Sequence, residues 1–395
     1  MQKVLFVTFD LIRPNDPEKS LAMASILASL RGCESLKTAY AFEHLSINVL
    51  RESWRERIAL LRFGGYSFIA VSAYIWCEPY LNEFLACLRT KGFGGKIILG
   101  GYQIAGAREN FKKRYPLADI FIEGFAERKL IELFTGKPCG SVETPPPVYL
   151  AGEIEVKENA EMVRMETKRG CPYACSFCRH RDVVDNSIIE FGRDRVCREL
   201  DYLTSKNVKK INVVDPIFHI GKNYEYILEE MNALCERKGV NTLFSLQCRF
   251  EFLATSRGER FLDLCRRGNF LLEFGLQTVN EAESALINRR NELDKIEKAL
   301  EMVNDSGISY EISLMYGLPN QTLESFKYGI EWLKERCVGT VKAFPLKLLP
   351  GTPLYDEKDK WGFEERKGEL GIPFVVSSRS FTYEEWLEMG ALGKV

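Results

Sequence analysis

The chain has 395 residues, a formal net charge of −1, 46% hydrophobic and 28% charged residues. At ~150 residues per domain it should hold two or three globular domains. The near balance of charge argues against nucleic acid or an anionic membrane as a partner, and no apolar run reaches the ~18 residues of a membrane span. The N-terminus, Met1-Gln-Lys-Val-Leu-Phe-Val7, enters a strand pattern directly, without the charged, apolar and small-residue order of a signal peptide. A cytoplasmic location is therefore expected. Twelve cysteines do not imply a disulfide framework in a long chain with its own core. Cys33, Cys87, Cys197 and Cys265 read as reduced structural residues.

Residues 1–140 alternate between strand and helix patterns. Apolar runs at 4–9, 66–72, 96–101 and 119–122 read as buried strands, and 20–30, 79–89 and 127–134 have helical periodicity. This order predicts a parallel sheet with helices on both faces, a Rossmann-like α/β domain. Ligands of such sheets lie beyond the carboxyl ends of the strands. From residue 141 to 162 the pattern breaks: Pro145-Pro-Pro147 and a charged run mark a linker.

A second βα series follows over 163–355, with strands expected at 163–168, 210–214, 243–249, 271–276, 309–315 and 339–348. Six such units predict a partial (β/α)6 TIM-type barrel with its chemistry at the strand carboxyl ends. Residues 356–395 form a short C-terminal extension.

Directly after the first barrel strand stands Lys168-Arg-Gly-Cys171-Pro-Tyr-Ala-Cys175-Ser-Phe-Cys178-Arg-His180, a C-x3-C-x2-C spacing. Three thiolates on one loop select an iron–sulfur cluster or zinc. His180 is the available fourth ligand for zinc. No fourth cysteine stands nearby, so a [4Fe–4S] cluster here would leave one iron open for a substrate such as S-adenosylmethionine (SAM), which chelates through its amino and carboxylate groups.

This motif resembles that of the radical SAM superfamily, in the branch that includes methylthiotransferases and cobalamin-binding enzymes. The resemblance covers about 163–355. It implies that Cys171, Cys175 and Cys178 hold the cluster and that Phe177 packs by the SAM adenine. Val213-Val-Asp-Pro-Ile-Phe218 implies Asp215 as acceptor for the SAM amine, although a helix cap is an equal reading of that residue. Leu272-Glu-Phe-Gly-Leu-Gln-Thr-Val-Asn280 implies Glu273 on the ribose hydroxyls. Arg289, in Ile287-Asn-Arg289, would meet the SAM carboxylate. Ser313-Leu-Met-Tyr-Gly-Leu-Pro319 implies that Gly317 lets the backbone approach the adenine. Leu349-Pro-Gly-Thr-Pro-Leu354 matches the sequence that often follows the sixth strand. Period-2 alternation puts Gln247 and Arg249 on the face that looks into the barrel, where they can meet substrate or fill the barrel as structural side chains, and Cys248 on the other.

Residues 1–135 resemble the cobalamin-binding domain that precedes the barrel in one group of this superfamily, through Ser72-Ala-Tyr-Ile-Trp76, Leu99-Gly-Gly-Tyr102 and Asp119-Ile-Phe-Ile-Glu-Gly-Phe-Ala-Glu127. Gly100 and Gly101 would permit close approach of a flat ring. The lower axial His of many cobalamin proteins is missing: Asp10 is followed by Leu-Ile-Arg-Pro-Asn, and the only histidines are His44, His180 and His219. The resemblance leaves both bound cobalamin and an empty scaffold open.

Three functions follow. The leading one is reductive SAM cleavage to a 5′-deoxyadenosyl radical that rearranges or epimerises a ribosomally made precursor peptide. The second is cobalamin-dependent methylation at carbon. The third is a non-catalytic iron–sulfur or zinc module. Expected partners are the precursor peptide or a small-molecule substrate, a reductant such as flavodoxin or ferredoxin, and a separate leader-peptide-binding protein.

Overall fold

The computed structural model describes every residue except 60, 105–110, 140–143, 183–186, 369 and 394–395. Residues 141–143, the start of the expected linker, therefore lie outside the described residues. The chain divides into two compact units, Met1–Lys157 and Glu158–Val395.

The first unit is built on a five-stranded sheet: β1 (Gln2–Asp10), β2 (Tyr40–Asn48), β3 (Phe68–Ser72), β4 (Lys96–Gly100) and β5 (Ile120–Ile122), in the order β2-β1-β3-β4-β5. All pairings are parallel. This is the 2-1-3-4-5 doubly wound order, in which the strand order reverses between β1 and β3 and opens a ligand crevice at their carboxyl ends. Seven consecutive buried residues end β1, as expected for a central strand covered on both faces. One core cluster joins Phe9, Val71 and Leu99 to Phe84 and Leu88 of the helix Glu78–Thr90. The other joins Val4 and Phe6 to Leu27 and Phe134.

The strand β2 is absent from the sequence reading. Most of its residues are only half-buried, Glu43, His44 and Ser46 among them, so it lacks the continuous apolar run by which the other four strands are recognised. It is an edge strand, paired only to β1.

The second unit carries a six-stranded parallel sheet in the order β13-β12-β11-β10-β9-β6. These strands are β6 (Val163–Met165), β9 (Lys210–Val213), β10 (Leu243–Cys248), β11 (Phe270–Gln277), β12 (Ser309–Tyr316) and β13 (Thr340–Pro345). Among the described residues no pairing joins β13 to β6, so the barrel is open. Helices follow β9 to β12, as the βα pattern requires. Along β11, Phe270, Leu272, Phe274 and Leu276 are buried while Leu271, Glu273, Gly275 and Gln277 are half-buried. Phe274 stacks on Phe250 of the helix Phe250–Leu253 at 4.1 Å. The apolar face of the sheet is thus the one beneath the helices, and the polar face looks into the barrel.

The first barrel strand is shorter than the expected 163–168. It ends at Met165, and two short strands follow, β7 (Lys168–Arg169) and β8 (Ile189–Glu190), paired antiparallel to each other. The C-terminal extension holds a hairpin, β14 (Glu364–Lys367) and β15 (Pro373–Ser377), and the helix Tyr383–Leu392, which begins with a capping box on Thr382 and Glu385.

Candidate functional site

The loop that follows β7 at Arg169, described over 170–182 and 187–188, precedes β8 at Ile189. It carries Cys171, Cys175 and Cys178, of which Cys175 is buried and the others half-buried. Backbone bonds hold its middle: Ser176 N donates to Ile287 O at 2.8 Å, and Leu354 N to Ser176 O at 3.1 Å. The Asn288 amide adds a bond to Ala174 O at 2.8 Å. The Leu349-Pro-Gly-Thr-Pro-Leu354 segment is thus a brace for this loop. Gly351, at φ +79°, lies where a Cβ would collide with the Arg179 guanidinium.

Burial pushes the Cys171 thiol up, and the Cys178 thiol up to about 11. The charges of Cys175 and Cys171 also act on Cys178, in the same direction, so the three sulfurs are electrostatic neighbours. Among the described residues no group of three or more His, Cys, Asp or Glu is gathered tightly enough to hold a single metal ion. A cubane cluster asks for less convergence, because each thiolate takes a different iron.

Arg289 lies against the loop. Its Nη1 is 3.9 Å from Cys175 Sγ, Nη2 donates to Gly275 O, and its buried Nε has no partner. A guanidinium stays charged even there, so this is a fixed positive group beside the thiols, with one donor free for an anionic ligand. Phe177 is half-buried on the same loop.

On the polar face, Ser245 Oγ and Gln247 Nε2 both donate to the Glu273 carboxylate. Gln247 and Glu273 stand opposite each other in the β10–β11 register. Gln247 does look into the barrel, but its amide is engaged with Glu273. Arg249 differs from the expectation of a free substrate contact: it is 7% exposed, pairs with Glu251 at 3.0 Å and stacks over the Tyr173 ring at 4.1 Å. Tyr173 belongs to the cysteine motif, so Arg249 steadies that loop.

Asp215 is not placed as an acceptor for an external amine. It is fully buried, and both carboxylate oxygens are committed inside the protein. Oδ1 accepts from Thr167 N at 2.8 Å and from Lys168 N at 3.2 Å, and Oδ2 accepts from Thr167 Oγ1. Lys168 Nζ is 3.9 Å from Oδ2. Burial raises the Asp215 carboxyl to about 6, against the opposing charge of Lys168. These bonds draw Thr167 and Lys168 out of the sheet ladder, which explains the early end of β6.

Gly317 stands at the turn after β12. Its φ of +88° favours glycine, while a Cβ there would make only ordinary contacts with Val375, Leu346 and Phe381, so the backbone conformation and not crowding calls for glycine. In the first unit Gly101, at φ +113°, sits where a Cβ would be 2.7 Å from Ala73 O, so the fold itself demands it; at Gly100 a Cβ would meet only ordinary contacts.

Sequence reasoning missed Lys168, Glu190 and Glu251. Lys168 reads as a strand-end charge, yet it is 1% exposed and donates to Phe218 O and Ile220 O. Nothing local signals this, because its partners lie some 50 residues onward. At the carboxyl end of β1 and β2, Thr8 Oγ1 donates to Asp10 Oδ2 at 2.5 Å and is 2.8 Å from His44 Nε2, while Ser46 Oγ donates to the same Asp10 oxygen at 2.7 Å. His44 is thus engaged within the sheet.

Residues 165–333 match the model of the radical SAM superfamily. The second unit thus carries a radical SAM domain, and the doubly wound parallel-sheet unit precedes it in sequence. Among curated proteins it is similar to the cobalamin-dependent radical SAM methyltransferase TokK of Streptomyces tokunonensis, 24% identical over 82% of this chain and 54% of that one. It is also similar to the 2-(S-pantetheinyl)-carbapenam-3-carboxylate methyltransferase of Streptantibioticus cattleyicolor, 22% identical over 81% of this chain and 55% of that one. The chain spans about half the length of these two relatives. Among solved structures, the methyltransferase TsrM of Kitasatospora setae with tryptophan and a SAM analogue bound matches with a TM-score of 0.75 and 14% identity, over 99% of this chain and 88% of that one. The cobalamin-dependent radical enzyme OxsB matches at 0.69 and 14%, over 99% of this chain and 66% of that one. At these identities the structural likeness is one of fold.

Proposed function

We propose that the protein is a cobalamin-dependent radical SAM methyltransferase, in preference to a maturase that rearranges or epimerises a peptide. The observation that carries this reading is the pairing, in one chain, of a 2-1-3-4-5 parallel domain with a cysteine-loop barrel, the arrangement that aligns end to end with TsrM. The two curated methyltransferases that are similar over about four-fifths of this chain support it.

Cys171, Cys175 and Cys178 would hold a [4Fe–4S] cluster, and the donor set fits: three neighbouring thiols on one braced loop with no fourth cysteine beside them. Such a cluster supplies the electron that cleaves SAM. Arg289 keeps a fixed positive charge and one unpartnered N–H beside the thiols, suited to the SAM carboxylate. Glu273, held by Ser245 and Gln247, offers a carboxylate on the barrel face for hydroxyl donors. In the first unit the switch point between β1 and β3 is the crevice suited to a large planar cofactor. Of the chain's three histidines, His44 is bonded to Thr8 and the other two lie in the second unit. Cobalamin would thus be held there without an imidazole from this unit in the arrangement seen.

The test is anaerobic purification from cells supplied with cobalamin, followed by metal analysis and incubation with SAM and reductant. The expected result is bound cobalt together with S-adenosylhomocysteine and 5′-deoxyadenosine as co-products. Four irons without cobalt, and 5′-deoxyadenosine alone, would return the peptide-modifying reading.

A further inference from the structure

The cysteine loop is closed at its base by a neck whose parts lie in three segments distant in sequence. Lys168 pairs with Glu190 and Arg169 with Ile189, so the strands β7 and β8 bring the two ends of the loop together. Phe191 N donates to Thr167 O at 2.9 Å immediately below. This neck is bolted to the 215–223 turn by two carboxylates. Asp215 takes Thr167 N, Lys168 N and the Thr167 hydroxyl, and faces the Lys168 ammonium. Glu190 Oε1 accepts from Lys222 N at 2.8 Å and Asn223 N at 2.9 Å. Gly221, at φ +97°, has no room for a Cβ because the Glu190 carboxylate occupies that position. Both carboxylates come from the loop's own ends or from the turn that meets them, and each satisfies backbone N–H groups left unpaired by the sheet.

We propose that Lys168, Asp215 and Glu190 are positioning residues for the iron cluster. They fix the root of the loop, and with it the place of Cys171, which is three residues beyond Lys168. The inference rests on the radical SAM reading. Its physical basis is that the middle of the loop has its own braces, at Ala174 and Ser176, whereas Cys171 lies between those braces and the neck. A ligand on a loop end that is free to open is lost more easily than one held at both sides. Groups that orient the ligands of a metal without touching it commonly change its retention or activity by about 10–100-fold.

The experiment compares anaerobically reconstituted wild type with Glu190→Ala, Glu190→Gln and Asp215→Asn. The readouts are the rate of iron release to a ferrous chelator and the electron paramagnetic resonance spectrum of the reduced cluster, with circular dichroism as the check on folding. Glu190→Ala should release iron about tenfold faster and shift the spectrum. Glu190→Gln, whose amide oxygen still accepts from Lys222 and Asn223, should stay near wild type. Asp215→Asn should behave like Glu190→Ala; if it does not fold, the Glu190 pair decides. A wild type that holds four irons while folded Glu190→Ala releases them at the same rate overturns the neck alone. A wild type that takes up no iron overturns the radical SAM reading and this inference with it.

Discussion

Glu273 receives hydrogen bonds from Ser245 and Gln247 on the barrel face, which leaves its carboxylate fixed in direction before any ligand arrives. Glu273→Gln should weaken SAM binding by ~1–3 kcal/mol, the usual effect of losing a charge-assisted hydrogen bond, with iron content unchanged. Isothermal titration with SAM reads this directly, and an unaltered dissociation constant would leave Glu273 as barrel filling. Two other cysteines near the later strands make a contrasting case. Cys248 is 4% exposed on the apolar side of β10, and burial pushes its thiol far above its ordinary value. Cys337 ends the helix Leu323–Arg336 and accepts from the Tyr310 hydroxyl at 3.2 Å, at the end of the barrel away from the cysteine loop. Neither is placed to return a hydrogen atom to a substrate. Cys248→Ala and Cys337→Ala should each retain turnover; loss of deuterium incorporation from heavy water in either one, with SAM cleavage intact, would restore a thiol donor and the epimerase reading.

At the scale of elements, four of the six barrel strands, β9 to β12, were legible to within a residue at each end, whereas the runs expected for the first and the last extend beyond β6 and β13. Alternation is strict along β11 and β12, because one face is buried under helices and the other is not. The first strand was overextended because its end is set by Asp215, from 48 positions away. Edge strand β2 was missed because half-burial admits polar residues. The motif placed the three cysteines on one loop correctly, but it did not say which way Asp215 and Arg249 point, since a resemblance fixes position along the chain and not the partners that claim a side chain. The turn after β12 offers a check on how rigidly such positions are set. Gly317→Ala forces a Cβ into the left-handed region at φ +88°, which should lower stability by roughly 1–2 kcal/mol. Urea unfolding monitored by fluorescence measures it; no change would mean that the turn relaxes freely.

For the whole molecule, half-buried His44 and buried His219 bear on the acid side of the stability profile. Burial lowers His219 from 6.5 to about 3 and His44 from 6.5 to about 4. The unfolded chain takes up these protons first, so their contribution to stability is complete above pH 6.5 and is lost as pH falls through that value toward the folded ones. Asp215, raised to about 6, acts in the opposite direction between its folded value and the ordinary 3.8. His219 stacks on Phe252 at 4.1 Å and its Nδ1 has no partner, so His219→Phe isolates its share. Between pH 7 and pH 5 the variant should lose about 2 kcal/mol less than wild type, measured by urea unfolding at both values; parallel losses would show that His219 is not the group responsible. At the same scale, no helix among the described residues is long and apolar enough to cross a membrane.

The central claim is that Cys171, Cys175 and Cys178 together hold the cluster that cleaves SAM. The most direct measurement is 5′-deoxyadenosine formed from SAM under a strong reductant, in wild type and in the triple variant Cys171→Ala/Cys175→Ala/Cys178→Ala, each reconstituted anaerobically with iron and sulfide. A methyl group cannot replace a thiolate as an iron ligand. The account predicts product from wild type, none from a triple variant that keeps its circular dichroism spectrum, and no bound iron in the variant; product from the triple variant would contradict it.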